Sequence, residues 1–173
     1  MYAWYAGLGR YLREELGCGQ LINASWKTGD VIRLEDIERW AYTAMDVQAV
    51  NRDYTSIHRG PNQGWAIVKG DEFTNPSILR SPGELPVSLK QTQGVPMLVT
   101  ESTWVMPGGY ATEGPFLIAA YQSLTGVDGY YWFSTWDDEW SHPQSANGYL
   151  ASQQKWMFAN LDMLGTFPAA AVM

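Results

Sequence analysis

The chain has 173 residues, 46% of them hydrophobic, and a formal net charge of -7. That length buries one core and predicts a single domain over residues 1–173. Only 11 basic residues stand against 18 acidic ones and none cluster, which argues against nucleic acid as a partner. No run of ~18 apolar residues predicts a membrane span. Met1-Tyr2-Ala3-Trp4-Tyr5 lacks the basic-then-apolar pattern of a secretory leader. The lone Cys18 allows no internal disulfide.

In chain order, apolar strands alternate with amphipathic helices, the pattern of a helix-covered parallel sheet. Residues 3–16 read as a helix with Leu8, Leu12 and Leu16 in register, ended by Gly17 and Gly19. A strand over 20–24 runs into Ser25 and Trp26. A helix over 34–44 has Leu34, Ile37, Trp40 and Ala41 on one face, and a strand over 46–50 follows, ending in Asn51-Arg52-Asp53-Tyr54. Residues 55–83 are rich in Gly, Pro, Asn and Ser; their apolar Trp65–Val68 and Phe73 predict an ordered, functional loop. A short helix near 85–92 leads to a strand closing at Glu101. Thr112, Glu113 and Pro115 start a helix over 113–125. A strand over 128–134 ends in Thr135-Trp136, and a helix over 151–164 closes the order.

The densest functional signal is Val95-Pro96-Met97-Leu98-Val99-Thr100-Glu101-Ser102-Thr103-Trp104-Val105. A buried-strand pattern there stops at a carboxylate, and chemistry in α/β folds gathers where parallel strands end. A glutamate so held acts as a nucleophile or a proton carrier. Alternation sets Met97, Val99 and Glu101 on one face, so that with the first two filling a barrel interior Glu101 points to its mouth.

Other signals are weaker. Nine Trp and ten Tyr fit sugar rings stacked on aromatic platforms, and equally an aromatic-rich core. His58 either lines the cleft or lies at the surface. Asp137, Asp138, Glu139 and His142 are too close in sequence to converge on one ion, so no metal site and no cofactor are predicted. Glu113 sits in a helix first turn, a structural place for an acid. A Ser-His-Asp hydrolase is disfavoured by two His and no Gly-x-Ser-x-Gly elbow; Gly7-Leu8-Gly9 lacks the spacing of a phosphate loop.

The order strand–Trp26, strand–Asn51/Tyr54, strand–Val99-Thr100-Glu101-Ser102, strand–Tyr130-Tyr131-Trp132-Phe133-Ser134-Thr135-Trp136 resembles the last four strands of retaining glycoside hydrolases on (β/α)8 TIM barrels. The resemblance covers nearly the whole chain at the level of order. It implies an α/β fold comprising the C-terminal half of the barrel, strands 5–8 and their helices, truncated at both ends. It implies a carbohydrate substrate, Glu101 as catalytic nucleophile, Tyr54 as hydrogen-bond donor to it, and Asn51 in the same role or on a sugar hydroxyl. Trp132 or Trp136 would form the sugar platform, with Trp26, Trp104 and His58 as further substrate contacts. Family members are often exported, implying an extracellular or periplasmic setting. The family's acid/base glutamate, on strand four, has no counterpart here, so the isolated chain is expected to be inactive alone. The alternative is a non-catalytic carbohydrate-binding or structural half-barrel, and open sheet edges would favour self-association.

Overall fold

The computed structural model describes residues 1–25, 32–61, 63–64, 66–87, 91–135 and 153–173. The elements run α1 (Tyr2–Arg10), continued by a π-helical turn over Tyr11–Glu15, then β1 (Asn23–Ser25), α2 (Ile32–Tyr42) and β2 (Val47–Asn51). Three short strands follow, β3 (His58–Arg59), β4 (Ala66–Ile67) and β5 (Glu72–Phe73), then β6 (Met97–Ser102), α3 (Glu113–Thr125) and β7 (Gly129–Trp132). The chain closes with β8 (Gln153–Gln154), α4 (Leu161–Leu164) and α5 (Phe167–Ala170). No helix among the described residues is long and apolar enough to cross a membrane.

The protein is mixed α/β, built on a four-stranded sheet in the order β1-β2-β6-β7, every pair parallel. Parallel neighbours need a crossover, and right-handed crossovers taken always in the same direction put successive helices on one face. On that face Met97 and Val99 of β6 pack in one core with Ile118 of α3, Val127 and Met163. Ala24 of β1 packs with Tyr42, Met45, Tyr5 and Ile22 in a second, smaller cluster. The opposite face of the sheet is a groove of about 630 Å³ lined by Leu21, Asn23, Val47, Leu98, Thr100 and Tyr131, among others.

This overturns the expected facing of β6. Met97 and Val99 lie against helices, whereas Leu98 and Thr100 line the open face. The helix pattern is also corrected in α2. Leu34, Ile37 and Trp40 are 43%, 54% and 59% exposed, while Glu38, Ala41 and Tyr42 are buried. The buried stripe is set by what α2 meets: the Tyr42 hydroxyl donates to Glu38, Tyr5 of α1 meets the Tyr42 ring edge-on with centroids 5.5 Å apart, and Tyr2 stacks on Trp40 at 4.8 Å. Leu8 and Leu16 are likewise exposed, since α1 approaches its neighbour through Tyr5 and Gly9, where an added Cβ would lie 3.2 Å from Met45 Sδ.

α3 starts and stops where the sequence predicts, its end set by Gly126 at φ 73°. Thr112 makes no side-chain cap; Glu113 instead reaches outward, accepting from Ser77 Oγ at 2.6 Å and Ile78 N at 3.0 Å. Its role is structural as expected, but the partner is the long loop rather than the helix dipole alone. That loop is ordered: β3 pairs with β5, β4 pairs with β8, and 3-10 turns span Ile78–Arg80 and Pro82–Glu84. The helix expected near 85–92 is absent from its described residues, which are turn and irregular chain. Of the helix expected over 151–164, the described residues 153–164 form a helix only in α4. Lys155 and Trp156 lend their carbonyls to Met106 N at 2.8 Å and Ser134 N at 2.7 Å, and Phe158 N donates to Ser134 O at 3.1 Å, so this segment is extended across the strand ends. Asn160 then caps α4, its Oδ1 accepting from Met163 N at 3.0 Å.

Candidate active site

The carboxyl ends of β2, β6 and β7 carry an irregularity with a chemical consequence. Val50 pairs with Val99 but Asn51 pairs with Glu101, and Val99 pairs with Tyr130 while Ser102 pairs with Trp132. Against both neighbours β6 has one residue too many, a bulge at Thr100–Glu101. Strict alternation from Val99 would return Glu101 to the helix-covered face. The bulge instead leaves Thr100 and Glu101 both on the open face and hands Ser102 back to the core. Ser102 is fully buried there, receiving the Tyr130 hydroxyl and donating its own to the Arg52 carbonyl. Burial raises the Tyr130 pKa far above the ordinary phenol range against the lowering effect of that Ser102 bond, with Asp53 adding to the rise.

Asn51 reaches Glu101 across the ladder, Nδ2 donating to Oε2 at 3.1 Å, while Thr100 Oγ1 donates to Asn51 Oδ1 at 2.8 Å. Glu101 is half-buried. The ladder holding it continues past the bulge: Arg52 N donates to Glu101 O at 2.9 Å and Tyr54 N to Thr103 O at 3.0 Å. Asp53 fixes the next turn, accepting from Thr103 N and from Trp156 Nε1, each at 3.0 Å. A partly buried carboxylate with an amide donor is thereby held on rigid strand ends, as a nucleophile requires.

Tyr54 does not take the supporting place expected for it. It is buried against Trp104, ring centroids 5.8 Å apart, and its hydroxyl finds no partner among the described residues. Burial first, then the charges of Glu84 and Glu113, raise its pKa. Asn51 alone of the two bonds Glu101. Trp104 is buried too, its ring so close to α3 that a Cβ on Gly114 would lie 2.8 Å from Cε3. Trp132 packs on the helix side among Tyr130, Trp104, Phe158 and Phe167. No ring contact or hydrogen bond joins either Trp to Glu101 among the described residues. Strand alternation gives the Glu101 side to the next residue, Phe133, whose N–H donates to Ser102 O at 3.0 Å. Trp26, Trp136 and the acidic run from Asp137 to His142 lie outside the described residues.

His58 is placed away from the pair, stacked on Phe73 at 4.2 Å. Its Nε2 lies 3.1 Å from Asp71 Oδ2 and its Nδ1 3.1 Å from Lys155 Nζ. His58 thus stands between the Asp71 carboxylate and the Lys155 amine. This buried row ties the long loop to the segment that crosses the strand ends. Among the described residues no group of three or more His, Cys, Asp or Glu could hold a metal ion. The groove is lined mostly from the amino ends of the strands, Pro96 and Asp128 included; Thr100 is among its lining residues and Glu101 is not. No family model, no curated protein and no solved structure matches this chain.

Proposed function

We propose that this chain is the C-terminal half, strands 5–8, of a (β/α)8 barrel of a retaining glycoside hydrolase, with Glu101 as its nucleophile. The observation that carries the reading is the bulge that turns Glu101 onto the open sheet face beside the Asn51 amide. Four sequentially ordered parallel strands with helices on one face suit a singly wound barrel, in which the other face is filled by side chains from the opposite strands. In a retaining mechanism the nucleophile attacks the anomeric carbon while a second carboxyl group, ~5–5.5 Å away, protonates the departing oxygen. Asn51 Nδ2 donates to one oxygen of Glu101 and fixes the orientation of its carboxyl group; alternation continued past the end of β7 assigns Phe133 to the same side. The second carboxyl group would come from strands outside these 173 residues, so natural glycosides are not turned over by this chain alone.

The test uses a leaving group that departs without acid. Dinitrophenyl 2-deoxy-2-fluoro glycosides of several sugars should give a slow burst of dinitrophenolate, one equivalent per chain, abolished by Glu101→Ala. The second reading, a non-catalytic carbohydrate-binding or structural half-barrel, gains from the broad uncovered face and predicts sugar binding with no burst.

A further inference from the structure

We infer that Thr100 is a positioning residue for Glu101, acting through Asn51. The inference deepens the proposed function and rests on Glu101 being its nucleophile. A carboxylate only accepts hydrogen bonds, so the atom Asn51 turns toward Glu101 Oε2, 3.1 Å away, is the Nδ2 donor. The carboxamide oxygen then faces Thr100, and the 2.8 Å contact requires the Thr100 hydroxyl to donate. A carboxamide has two ends of nearly equal shape, and the hydrogen-bond partners on its two sides together decide which end meets Glu101. Thr100 is the partner on the far side. It occupies the place because the β6 bulge puts two successive residues, Thr100 and Glu101, on the open face astride one Asn51.

The Thr100 hydroxyl has a second acceptor in reach, the Val50 carbonyl at 3.4 Å, a much longer contact. Turning to Val50 would free Thr100 Oγ1 to accept from Asn51 Nδ2 and would present Asn51 Oδ1 to Glu101. Two acceptors would then face each other unless Glu101 carried a proton. The shorter bond to Asn51 therefore selects the arrangement that serves an ionised nucleophile. Glycosyl transfer to Glu101 forms a bond from its oxygen to the anomeric carbon as the leaving group departs with the electron pair. The relay holds the oxygen during that step and takes no proton from it.

Thr100→Val keeps the side-chain shape and removes the donor; Thr100→Ser keeps the donor. In 15N–1H spectra the Asn51 carboxamide protons of the wild type and Thr100→Ser should exchange slowly with water. Those of Thr100→Val should exchange several-fold faster. Unchanged Asn51 signals in Thr100→Val overturn the relay, whatever happens with sugars. In the dinitrophenolate burst, Thr100→Val should be slowed about tenfold and Thr100→Ser should remain near wild type. Thr100→Val added to Asn51→Ala should slow the reaction no further than Asn51→Ala alone. Independent slowing by the two substitutions overturns the inference, because each would then act by its own route. The expected spectra with no burst in the wild type would support the relay and overturn the nucleophile reading.

Discussion

Lys155 shows how a single charge is held inside this chain. Its side chain is 6% exposed, its ammonium 3.1 Å from His58 Nδ1, 3.5 Å from the Gln63 carbonyl and 4.6 Å from the centre of the Trp156 ring. Burial lowers its pKa, with the Asp71 charge opposing. A lysine whose folded pKa is depressed binds fewer protons folded than unfolded between the two values, so its charge costs stability below the folded pKa. That cost is relieved as pH rises toward the unfolded value of about 10.4. Wild type should therefore gain stability against Lys155→Met between pH 7 and pH 10, measured as the difference in urea unfolding free energy at each pH. Parallel pH profiles for the two proteins would show that the ammonium carries no such penalty. Glu101 and Asn51 were legible in the sequence as residue types at strand ends. The route to them was not: the periodicity of two assigned Glu101 to the face of Met97 and Val99, and only a one-residue bulge brings it to the other. A bulge leaves no mark on hydrophobic alternation when the extra residue is a Thr beside a Glu.

At the scale of elements, position was easier to read than facing. The sheet strands and α3 fall close to where the apolar runs and helix-start residues put them, because those signals are local. Which stripe of α2 is buried depends on its neighbours, and Leu34, Ile37 and Trp40 lost that place to Glu38, Ala41 and Tyr42. The 151–164 segment looked helical by spacing, yet its backbone is claimed by Ser134 and Met106 across the strand ends. The corrected facing of β6 has its own test. Met97, 2% exposed on the helix side, should cost about 2–4 kcal/mol on substitution by Ala, whereas Leu124→Ala at the 80% exposed end of α3 should cost under about 0.5 kcal/mol, both read from urea unfolding. Equal, small effects at both positions would mean that Met97 is not part of the core.

For the whole molecule, the uncovered sheet face decides behaviour in solution. Parallel sheets occur with both faces covered, because their strands are apolar on both sides. Here Leu21, Val47, Leu98 and Tyr131 line a face over which no helix of the described residues packs, and Leu34, Ile37 and Trp40 add an exposed stripe beside Tyr2. We propose that in the absence of a complementary half-barrel two copies associate through the open sheet. Sedimentation velocity should show a concentration-dependent dimer that Leu98→Lys disperses; a monomer at all concentrations would contradict it. The order of strands was legible because each βα step carries its own signal. Barrel closure has no such local signal, since it is set by the number, tilt and stagger of all the strands together.

The most direct test of the central claim is where a sugar becomes covalently attached. Wild-type chain incubated with an activated 2-deoxy-2-fluoro glycoside should gain the mass of one fluorosugar, and peptide mapping should place it on Glu101. Attachment at another carboxylate, or none with any sugar while the chain remains folded, would contradict the assignment of Glu101 as the nucleophile.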